Sequence, residues 1–431
     1  GGWLESAWLK WAAVDGADRY KVYYKKTGSS SYTETDKELI REYDGYFRAD
    51  IPGLSAGEYI LKVVPVTGGA EGNGAETGIL SVENFVREGF AFSPNSPCGY
   101  TTGGYNKDGT VNPAADIVYV TNENKNTVTI NGDTAKGVGI NGIFAYREKN
   151  KIKTPLVVRL IGNVEMPEGV TDYMMGIKET ENVTFEGIGD DAAVYGWGLT
   201  MKRARNVEVR NIGIMLYGGI GGDGDSLSLD TENKNIWLHN IDFFYGEQGK
   251  DSDQTKGDGS IDLKARSDYI TVSYNHFWDS GKTCVAGGVW EAKNPDDPEA
   301  KIFVTYHHNW FDHSDSRHPR CVAASVHVYN NYYDGNSTYG IGAAVQSSIF
   351  AEGNYFRNCK RPMLIATQGS DCYDSATGTY KDKGTLSGQT GGMIKEYNNI
   401  TIGASRFYTQ LTTPDEGQID AYHAESRDEI V

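Results

Sequence analysis

The sequence has no apolar run long enough to cross a bilayer, which excludes a helical membrane protein. It has no basic block either: 58 acidic residues outnumber 41 basic ones, and the net charge is −17. Binding to a nucleic-acid backbone is therefore not expected. A polyanionic ligand would need a bound cation to mediate the contact, because like charges repel.

Cysteine is scarce as well. Five Cys among 431 residues are too few for a disulfide scaffold. No two of them are spaced Cys-x-x-Cys, so a structural zinc site has little support. The chain starts Gly1-Gly2-Trp3, without the basic and apolar regions of a signal peptide. We expect that any secretion signal has been removed or was never there.

The abundant residues favour strands and turns over helices. The chain has 53 Gly, 28 Tyr, 14 Phe and 8 Trp. Polar and apolar residues alternate over 8–11, 20–24 and 57–66, which is the period of half-buried strands. Residues 1–84 are therefore predicted to form a small β-sandwich, with a domain boundary near 84.

Trp11, the turn at 15–17 and the pattern Tyr20-x-Val22-x-Tyr24 make this first segment similar to a fibronectin type III module. The alternative is any small antiparallel β domain.

Residues 85–431 contain an internal repeat, in which a short alternating strand ends in Asn followed by apolar or aromatic residues. The repeated residues are Asn211, Asn240, Asn275, Asn309, Asn331, Asn354 and Asn399. The smallest steps between them, 22 and 23 positions, fit one coil of a parallel β-helix. A β-propeller, with roughly 40 residues per blade, fits less well. The Asn side chains are predicted to hydrogen-bond along the stack, and the longer steps predict insertions that build a binding face.

Two close pairs of carboxylates lie in adjacent repeats. Asp223 and Asp225 form the first pair, and Asp258 and Asp262 form the second. Alternate residues of an extended segment face the same way, so both members of the first pair can face one ion. Oxygen ligands without Cys or His suit a hard cation, Ca²⁺ above all. The alternative is two ordinary Asp-Gly turns on an acidic surface.

Basic residues follow in the next repeats. Lys282, Arg317 and Arg320 are predicted to stack near the carboxylates, where they would suit recognition of a carboxylate polymer. The alternative is surface cations that balance nearby Asp. The local cluster of His307, His308, His313, His318 and His327 suggests a metal site, but hydrogen-bonded structural histidines are the favoured interpretation.

Over residues 157–401 the sequence resembles the pectate lyases of polysaccharide lyase family 1. The motifs that carry the resemblance are 182–189, 206–211, Asp223-Gly224-Asp225, 270–275, His307-His308-Asn309, Arg317-His318-Pro319-Arg320 and 326–332. Together and in this order they are highly specific. The resemblance implies an all-β fold, in which a right-handed parallel β-helix at 85–431 follows the fibronectin-like sandwich.

The resemblance also implies a Ca²⁺-dependent β-elimination on polygalacturonate. Asp223, Asp225, Asp258 and Asp262 match the positions that bind the cation. Lys282 matches a Lys that contacts the uronate carboxylate, and Arg317 matches the base that removes the C5 proton.

A second Arg, usual in the family five positions later, is replaced by Val322, and Arg320 is expected to compensate in substrate binding. The implied protein is secreted or at the cell surface and monomeric, and its partner is pectin. The alternatives are a pectin lyase that acts on methyl esters without Ca²⁺, a β-helical glycoside hydrolase and a non-catalytic pectin-binding protein.

Overall fold

A computed structural model describes residues 1–218, 224–246, 256–365, 373–374, 379–380 and 391–403. Two antiparallel sheets come first along the chain, and two long parallel sheets follow. A separate antiparallel pair is formed by Tyr373–Asp374 and Thr379–Tyr380.

The antiparallel sheets form what we call the sandwich unit. The strands of the first sheet, in spatial order, are Gly2–Trp3, Ser6–Trp11, Tyr46–Pro52 and Ile40–Tyr43. Those of the second are Leu80–Val82, Gly57–Thr67, Arg19–Lys26 and Thr33–Glu34, and Gly57–Thr67 also pairs with Ala70–Glu71 and Ala75–Glu76. Side chains from both sheets share one core, which includes Ala7, Leu9, Val22, Ile51 and Leu61. That this unit is a fibronectin type III module, and that the domain ends near residue 84, remain predictions.

The parallel part is a stack of coils. One of its sheets, which we call the site sheet, contains Met174–Lys178, Gly198–Lys202, Leu227–Asp230, Gly259–Lys264, Lys282–Ala286, Arg320–Val322, Ile341–Ala344 and Met363–Ile365. The other, the long sheet, contains Asp116–Val120, Leu156–Glu165, Glu181–Tyr195, Arg205–Arg210, Gly213–Met215, Lys234–His239, Asp242–Phe243, Asp268–Ser273, His276–Trp278, Phe303–His307, Trp310–Asp312, Ser325–Tyr329, Tyr332–Asp334, Ser348–Glu352, Tyr355–Arg357, Met393–Tyr397 and Ile400–Ile402.

In the central coils the chain passes once through the site sheet and twice through the long sheet before it reaches the next coil. Each strand pairs in parallel with its equivalent one coil later, and the inward side chains of all coils form one hydrophobic core. This arrangement confirms the predicted parallel β-helix.

Short helices lie between strands of the sandwich unit and of the stacked coils. They are the α-helices Gly139–Asn150 and Val289–Lys293 and the 3-10 helices Lys37–Leu39, Phe90–Phe92, Thr134–Lys136 and Pro298–Ala300. Helix Gly139–Asn150 buries Ile140, Ile143 and Phe144 in the core of the coils, so it covers their first end. Within the described residues, no helix is both long and apolar enough to span a membrane.

An asparagine ladder runs along one turn of the coils, as predicted. The side-chain amide nitrogen of each Asn donates to the amide oxygen of the next Asn at 2.9–3.0 Å. The ladder residues are Asn275, Asn309, Asn331, Asn354 and Asn399. Each oxygen also accepts from the backbone N–H of the preceding ladder residue, so the turns are bonded to one another twice.

Asn211 and Asn240 do not join the ladder. The Asn211 amide still donates to two backbone carbonyls of the preceding coil, at 2.7 and 3.1 Å, so the predicted bond along the stack is confirmed for this residue. Strand register aligns them with Tyr274 and His308, one position before the ladder. All four residues have φ between 51° and 55°, a left-handed conformation that Asn tolerates better than most residues. In both coils Asn suits this left-handed position, and the side-chain amide of Asn211 also binds the preceding coil.

Candidate functional site

The predicted site residues that the structure describes lie at neighbouring strands of the site sheet. Asp225 precedes strand Leu227–Asp230, and Asp262 lies within Gly259–Lys264. Lys282 and Arg320 each begin the next strands of the sheet. The register pairs Asp262 with Val285 and Val285 with Arg320, so Asp262 and Arg320 lie two coils apart in one column. Asp223 lies outside the described residues.

Asp225 and Asp262 converge on Gly259. The backbone N–H of Gly259 donates to Asp225 Oδ1 at 3.1 Å. A Cβ atom at position 259 would lie 2.4 Å from Asp262 Oδ1 and 3.0 Å from Asp225 Oδ1. Only glycine therefore leaves room for both carboxylates at this point of the sheet.

Both carboxylates are buried, each with an exposed fraction of 5%. Asp262 Oδ1 has no hydrogen-bond donor among the described residues. A buried carboxylate oxygen without a donor is costly unless a cation or water reaches it.

Lys264 is a further residue of this site. Its ammonium lies 2.6 Å from Asp262 Oδ2 and 3.3 Å from Asp225 Oδ2, so it bridges the pair. Lys264 was not among the site residues predicted from the sequence. The alternation of side chains along a strand could have predicted it, because a residue two positions after Asp262 faces the same side of the sheet.

The charges in this cluster depend on one another. Burial raises the pKa of the Asp225 carboxyl to about 7, the nearby Asp262 raises it too, and Lys264 opposes the shift. Burial acts to lower the pKa of Lys264, but the Asp262 and Asp225 carboxylates outweigh burial and the pKa of Lys264 is raised. Two carboxylates therefore share one ammonium, and Asp225 holds its proton below about pH 7.

Asp258 and Lys282 form a second group. Lys282 Nζ lies 3.2 Å from Asp258 Oδ1, and Lys282 is buried although it carries a charge. Gly259 pairs with Lys282 in the register, which places this ion pair beside the Asp225 and Asp262 carboxylates. The described carboxylates are thus divided between two ammonium groups and do not form one open ring.

Arg317 lies in the turn that leads into strand Arg320–Val322. Its φ is 65°, and its carbonyl accepts from the backbone N–H of Cys284 at 2.7 Å. The next residue, His318, is buried, and its Nδ1 atom lies 2.8 Å from the carbonyl oxygen of Tyr339. Within the described part of the chain, Arg317 forms no ion pair, so none of the carboxylates described there neutralises its guanidinium.

Arg320 and Val322 have different surroundings. Burial lowers the pKa of the Arg320 guanidinium, and the positive charge of Arg317 lowers it further. These two guanidiniums are therefore close enough to repel each other. Val322 has an exposed fraction of 0% and belongs to the hydrophobic core, so its side chain is not available to a substrate.

A tighter group of possible metal ligands lies elsewhere. Among the described residues, ligand atoms of Asp312, His313 and Asp334 all lie within 4.8 Å of one another. These carboxylates already have partners: Asp312 contacts His276 at 3.0 Å, and Arg357 donates twice to Asp334. The Asp225 and Asp262 pair is the better candidate for a cation, because it retains an oxygen to which no described residue donates.

Three of the five clustered histidines are structural. His307, His318 and His327 are buried. Burial lowers the pKa of His307 and of His318 to about 3. His307 and His318 are therefore neutral near pH 7, and the burial of all three residues agrees with the favoured interpretation as structural histidines.

The known proteins that this chain resembles in sequence share one description. A family profile described as "Pectate lyase" matches residues 88–384. The pectate trisaccharide-lyase of Bacillus licheniformis is 29% identical over 274 residues, which cover 62% of this chain and 75% of that protein. Pectate lyase A of Emericella nidulans is 32% identical over 188 residues, which cover 44% of this chain and 55% of that protein.

Solved structures show a similar fold. A pectate lyase of Bacillus sp. N165 in complex with trigalacturonate has a TM-score of 0.53 at 21% identity, with 79% of this chain and 97% of that chain covered. Pectate lyase II of Xanthomonas campestris has a TM-score of 0.50 at 22% identity, with 77% and 86% covered.

Proposed function

This chain belongs to the pectate lyase family, a group of polysaccharide lyases, and on that premise we propose that it cleaves α-1,4-linked polygalacturonate by Ca²⁺-dependent β-elimination. The products would be 4,5-unsaturated oligogalacturonides. The observation that carries the proposal is the stack of charges on neighbouring strands, where the Asp225 and Asp262 carboxylates lie beside Lys264 and Lys282.

The residues present fit a bound Ca²⁺ ion. Among the described residues no donor reaches Asp262 Oδ1, and burial together with the nearby Asp262 charge raises the pKa of Asp225. Asp225, Asp258 and Asp262 would hold the ion, together with Asp223 from the sequence. Once bound, the ion would neutralise a uronate carboxylate and so acidify the proton on the neighbouring carbon.

We assign the proton transfer to Arg317. Its guanidine would take the proton from C5 of the uronate residue, and the electron pair left behind would form the C4–C5 double bond. The C4–O bond breaks in the same elimination, and its oxygen takes a proton from water. A guanidine is neutral only in a small fraction of molecules near pH 7, so the rate should rise toward alkaline pH.

We assign substrate binding to Lys282 and Arg320. Each begins a strand of the site sheet, and each places a positive charge near the carboxylate cluster. An ammonium and a guanidinium would bind uronate carboxylates and stabilise the charge that develops on them during proton removal. Arg320 would also serve in place of the family Arg, since Val322 is in the core.

An assay on polygalacturonate tests the proposal. The unsaturated product absorbs ultraviolet light, so its appearance separates a lyase from a hydrolase. We expect activity with Ca²⁺, its loss in excess chelator and its recovery when Ca²⁺ is restored. Full activity in chelator would contradict the cation site, and turnover of methyl-esterified pectin alone would favour the pectin lyase alternative.

Three further assignments belong to the same proposal. A protein that degrades a cell-wall polymer is expected to act outside the cell, either secreted or at the cell surface. We propose that it acts as a monomer. We also propose that the sandwich unit is a fibronectin type III module, because it consists of two antiparallel sheets around one core.

A further inference from the structure

Lys264 places a positive charge on the carboxylates to which the proposed function assigns a Ca²⁺ ion. Its ammonium lies 2.6 Å from Asp262 Oδ2 and 3.3 Å from Asp225 Oδ2. The ammonium and the ion would therefore share two ligands. Two cations that share ligands either exclude each other or repel each other at short distance.

Most of the oxygens of this carboxylate pair already have a partner. Asp225 Oδ1 accepts from the backbone N–H of Gly259 at 3.1 Å, and both Oδ2 atoms contact Lys264. Among the described residues, no donor reaches the fourth oxygen, Asp262 Oδ1. Ca²⁺ takes about six to eight oxygen ligands. An ion that binds both carboxylates must therefore replace the ammonium or lie within a few ångströms of it.

Lys264 is the member of this cluster that can move away. Its side chain is 35% exposed, whereas the side chains of Asp225 and Asp262 are each 6% exposed. A lysine ammonium is strongly hydrated and lies at the end of a flexible stem, so it can move into solvent while the stem stays in place. The ammonium of Lys282 is more enclosed, with 11% of the side chain exposed, and it binds Asp258.

The two carboxylates require a cation between them. Both are buried, and each lies within ion-pair distance of the same ammonium. Buried like charges so close together repel strongly unless a positive charge compensates them. Lys264 supplies that charge from within the chain, and a Ca²⁺ ion would supply it from solution. Binding of the one therefore opposes binding of the other.

We propose that Lys264 is a built-in competitor of Ca²⁺, an inference that rests on the cation site of the proposed function. Its ammonium compensates Asp225 and Asp262 until the ion displaces it into solvent, and the ion binds more weakly for this reason. Lys264 would thereby set the Ca²⁺ concentration at which the site becomes loaded, a property separate from the chemistry of the elimination.

Removal of the charge at position 264 tests the proposal. Lys264→Met retains the apolar stem, and Lys264→Gln is also neutral but retains a donor, which keeps the test decisive if Lys264→Met does not fold. We expect isothermal titration calorimetry of the full chain with Ca²⁺, without substrate, to show at least about tenfold tighter binding in the neutral variants. Unchanged or weaker binding would overturn the proposal.

A variant that retains the charge separates charge from packing. Lys264→Arg keeps a positive charge at this position, so it should not bind Ca²⁺ more tightly than the original protein does. Tighter binding in Lys264→Arg would show that the shape of the side chain, and not its charge, controls the affinity, and would overturn the proposal. Thermal unfolding of each variant verifies that it is folded.

Lys202→Met is the matched control. Lys202 also lies in a strand of the site sheet, and its ammonium pairs with Asp230 at 3.0 Å. Loss of this ammonium should change the Ca²⁺ affinity less than about threefold, because Asp230 is not assigned to the ion. A gain in affinity as large as that of Lys264→Met would show a general effect of net charge and would overturn the proposal.

Asp262→Asn separates this inference from the function on which it rests. Ca²⁺ binding that Asp262→Asn weakens, but that the neutral variants at position 264 do not tighten, overturns this inference alone. If neither the original protein nor the neutral variants bind Ca²⁺, the cation site is wrong, and this inference is overturned with it.

Discussion

Glu5 of the sandwich unit and Arg210 of the long sheet form a buried ion pair, with Oε2 and Nη1 3.4 Å apart, although 205 positions separate them. Arg87, from the segment between the two units, donates to the same carboxylate. On the other side, Arg210 binds Glu186 of the preceding coil and Glu208 of its own strand. One buried network of ion pairs therefore connects the sandwich unit to the coils.

Removing Glu5 should destabilise the whole protein. Glu5→Ala leaves Arg87 and Arg210 buried with one carboxylate fewer, and breaking a buried pair in this way costs about 3–5 kcal/mol. Urea unfolding followed by tryptophan fluorescence measures the loss. Glu34→Ala is the control, because Glu34 pairs with Lys21 on the exposed surface and should cost less than about 1 kcal/mol. Equal effects of the two substitutions would show that the network does not hold the units together.

Asp262→Asn should weaken Ca²⁺ binding by at least about tenfold, because it replaces a charged ligand by a neutral one of the same shape. Calorimetric titration with Ca²⁺ measures the change. The matched control is Asp230→Asn, since Asp230 pairs with Lys202 near the end of its strand and is not assigned to the ion. Unchanged affinity in Asp262→Asn would remove this residue from the proposed site.

Arg317→Lys should lower kcat about 10²–10⁴-fold, the range expected for loss of a general base, while KM changes little. The substitution retains the positive charge but not the position of the accepting nitrogen. Steady-state rates on polygalacturonate at saturating Ca²⁺ separate the two parameters. Arg203→Lys is the control, because Arg203 binds Glu179 on the exposed surface. A near-normal kcat in Arg317→Lys, with a raised KM, would instead assign Arg317 to substrate attraction.

Stability without Ca²⁺ should depend on the protonation of Asp225. Its pKa is raised to about 7 in the folded protein, so the folded state holds a proton that the unfolded state has already lost above about pH 4. This contribution to stability is complete below the unfolded pKa and is lost as the pH rises through about 7. Urea unfolding at several pH values in excess chelator measures it.

Asp225→Asn isolates this contribution. His307 and His318 change the stability in the opposite direction. Burial lowers their pKa values to about 3, so the folded protein loses stability as the pH falls below the pKa of an unfolded histidine. The free energy of unfolding of the original protein, minus that of Asp225→Asn, should therefore decrease as the pH rises. A difference that does not vary with pH would contradict the raised pKa.

The sequence was sufficient to predict the coils but not the role of every Asn. Spacing of 22 and 23 positions between Asn309, Asn331 and Asn354 predicted the stack and its ladder. At Asn211 and Asn240 the same residue type satisfies a different requirement, a left-handed backbone one position earlier. A spacing rule cannot separate these uses, because both lie at the same turn.

The site residues were predictable as a group but not in their pairing. Alternation along a strand places Asp262 and Lys264 on one face, and coil spacing brings Lys282 near them. Which ammonium binds which carboxylate depends on side-chain reach, and Lys282 binds Asp258 while Lys264 binds Asp225 and Asp262. The contact from Glu5 to Arg210 was not predictable, because no local pattern links residues so far apart.

The asparagine ladder also bears on how such a protein can change in length. The internal amides of Asn309, Asn331 and Asn354 each donate to the next coil and accept from the previous one, so an internal coil presents the same bonding surface at both of its faces. Duplication or deletion of one such coil would leave the remaining amides in register. The ladder thus makes the coil a unit of evolutionary growth, whereas the charged site, built from unlike residues on successive strands, does not tolerate such shuffling.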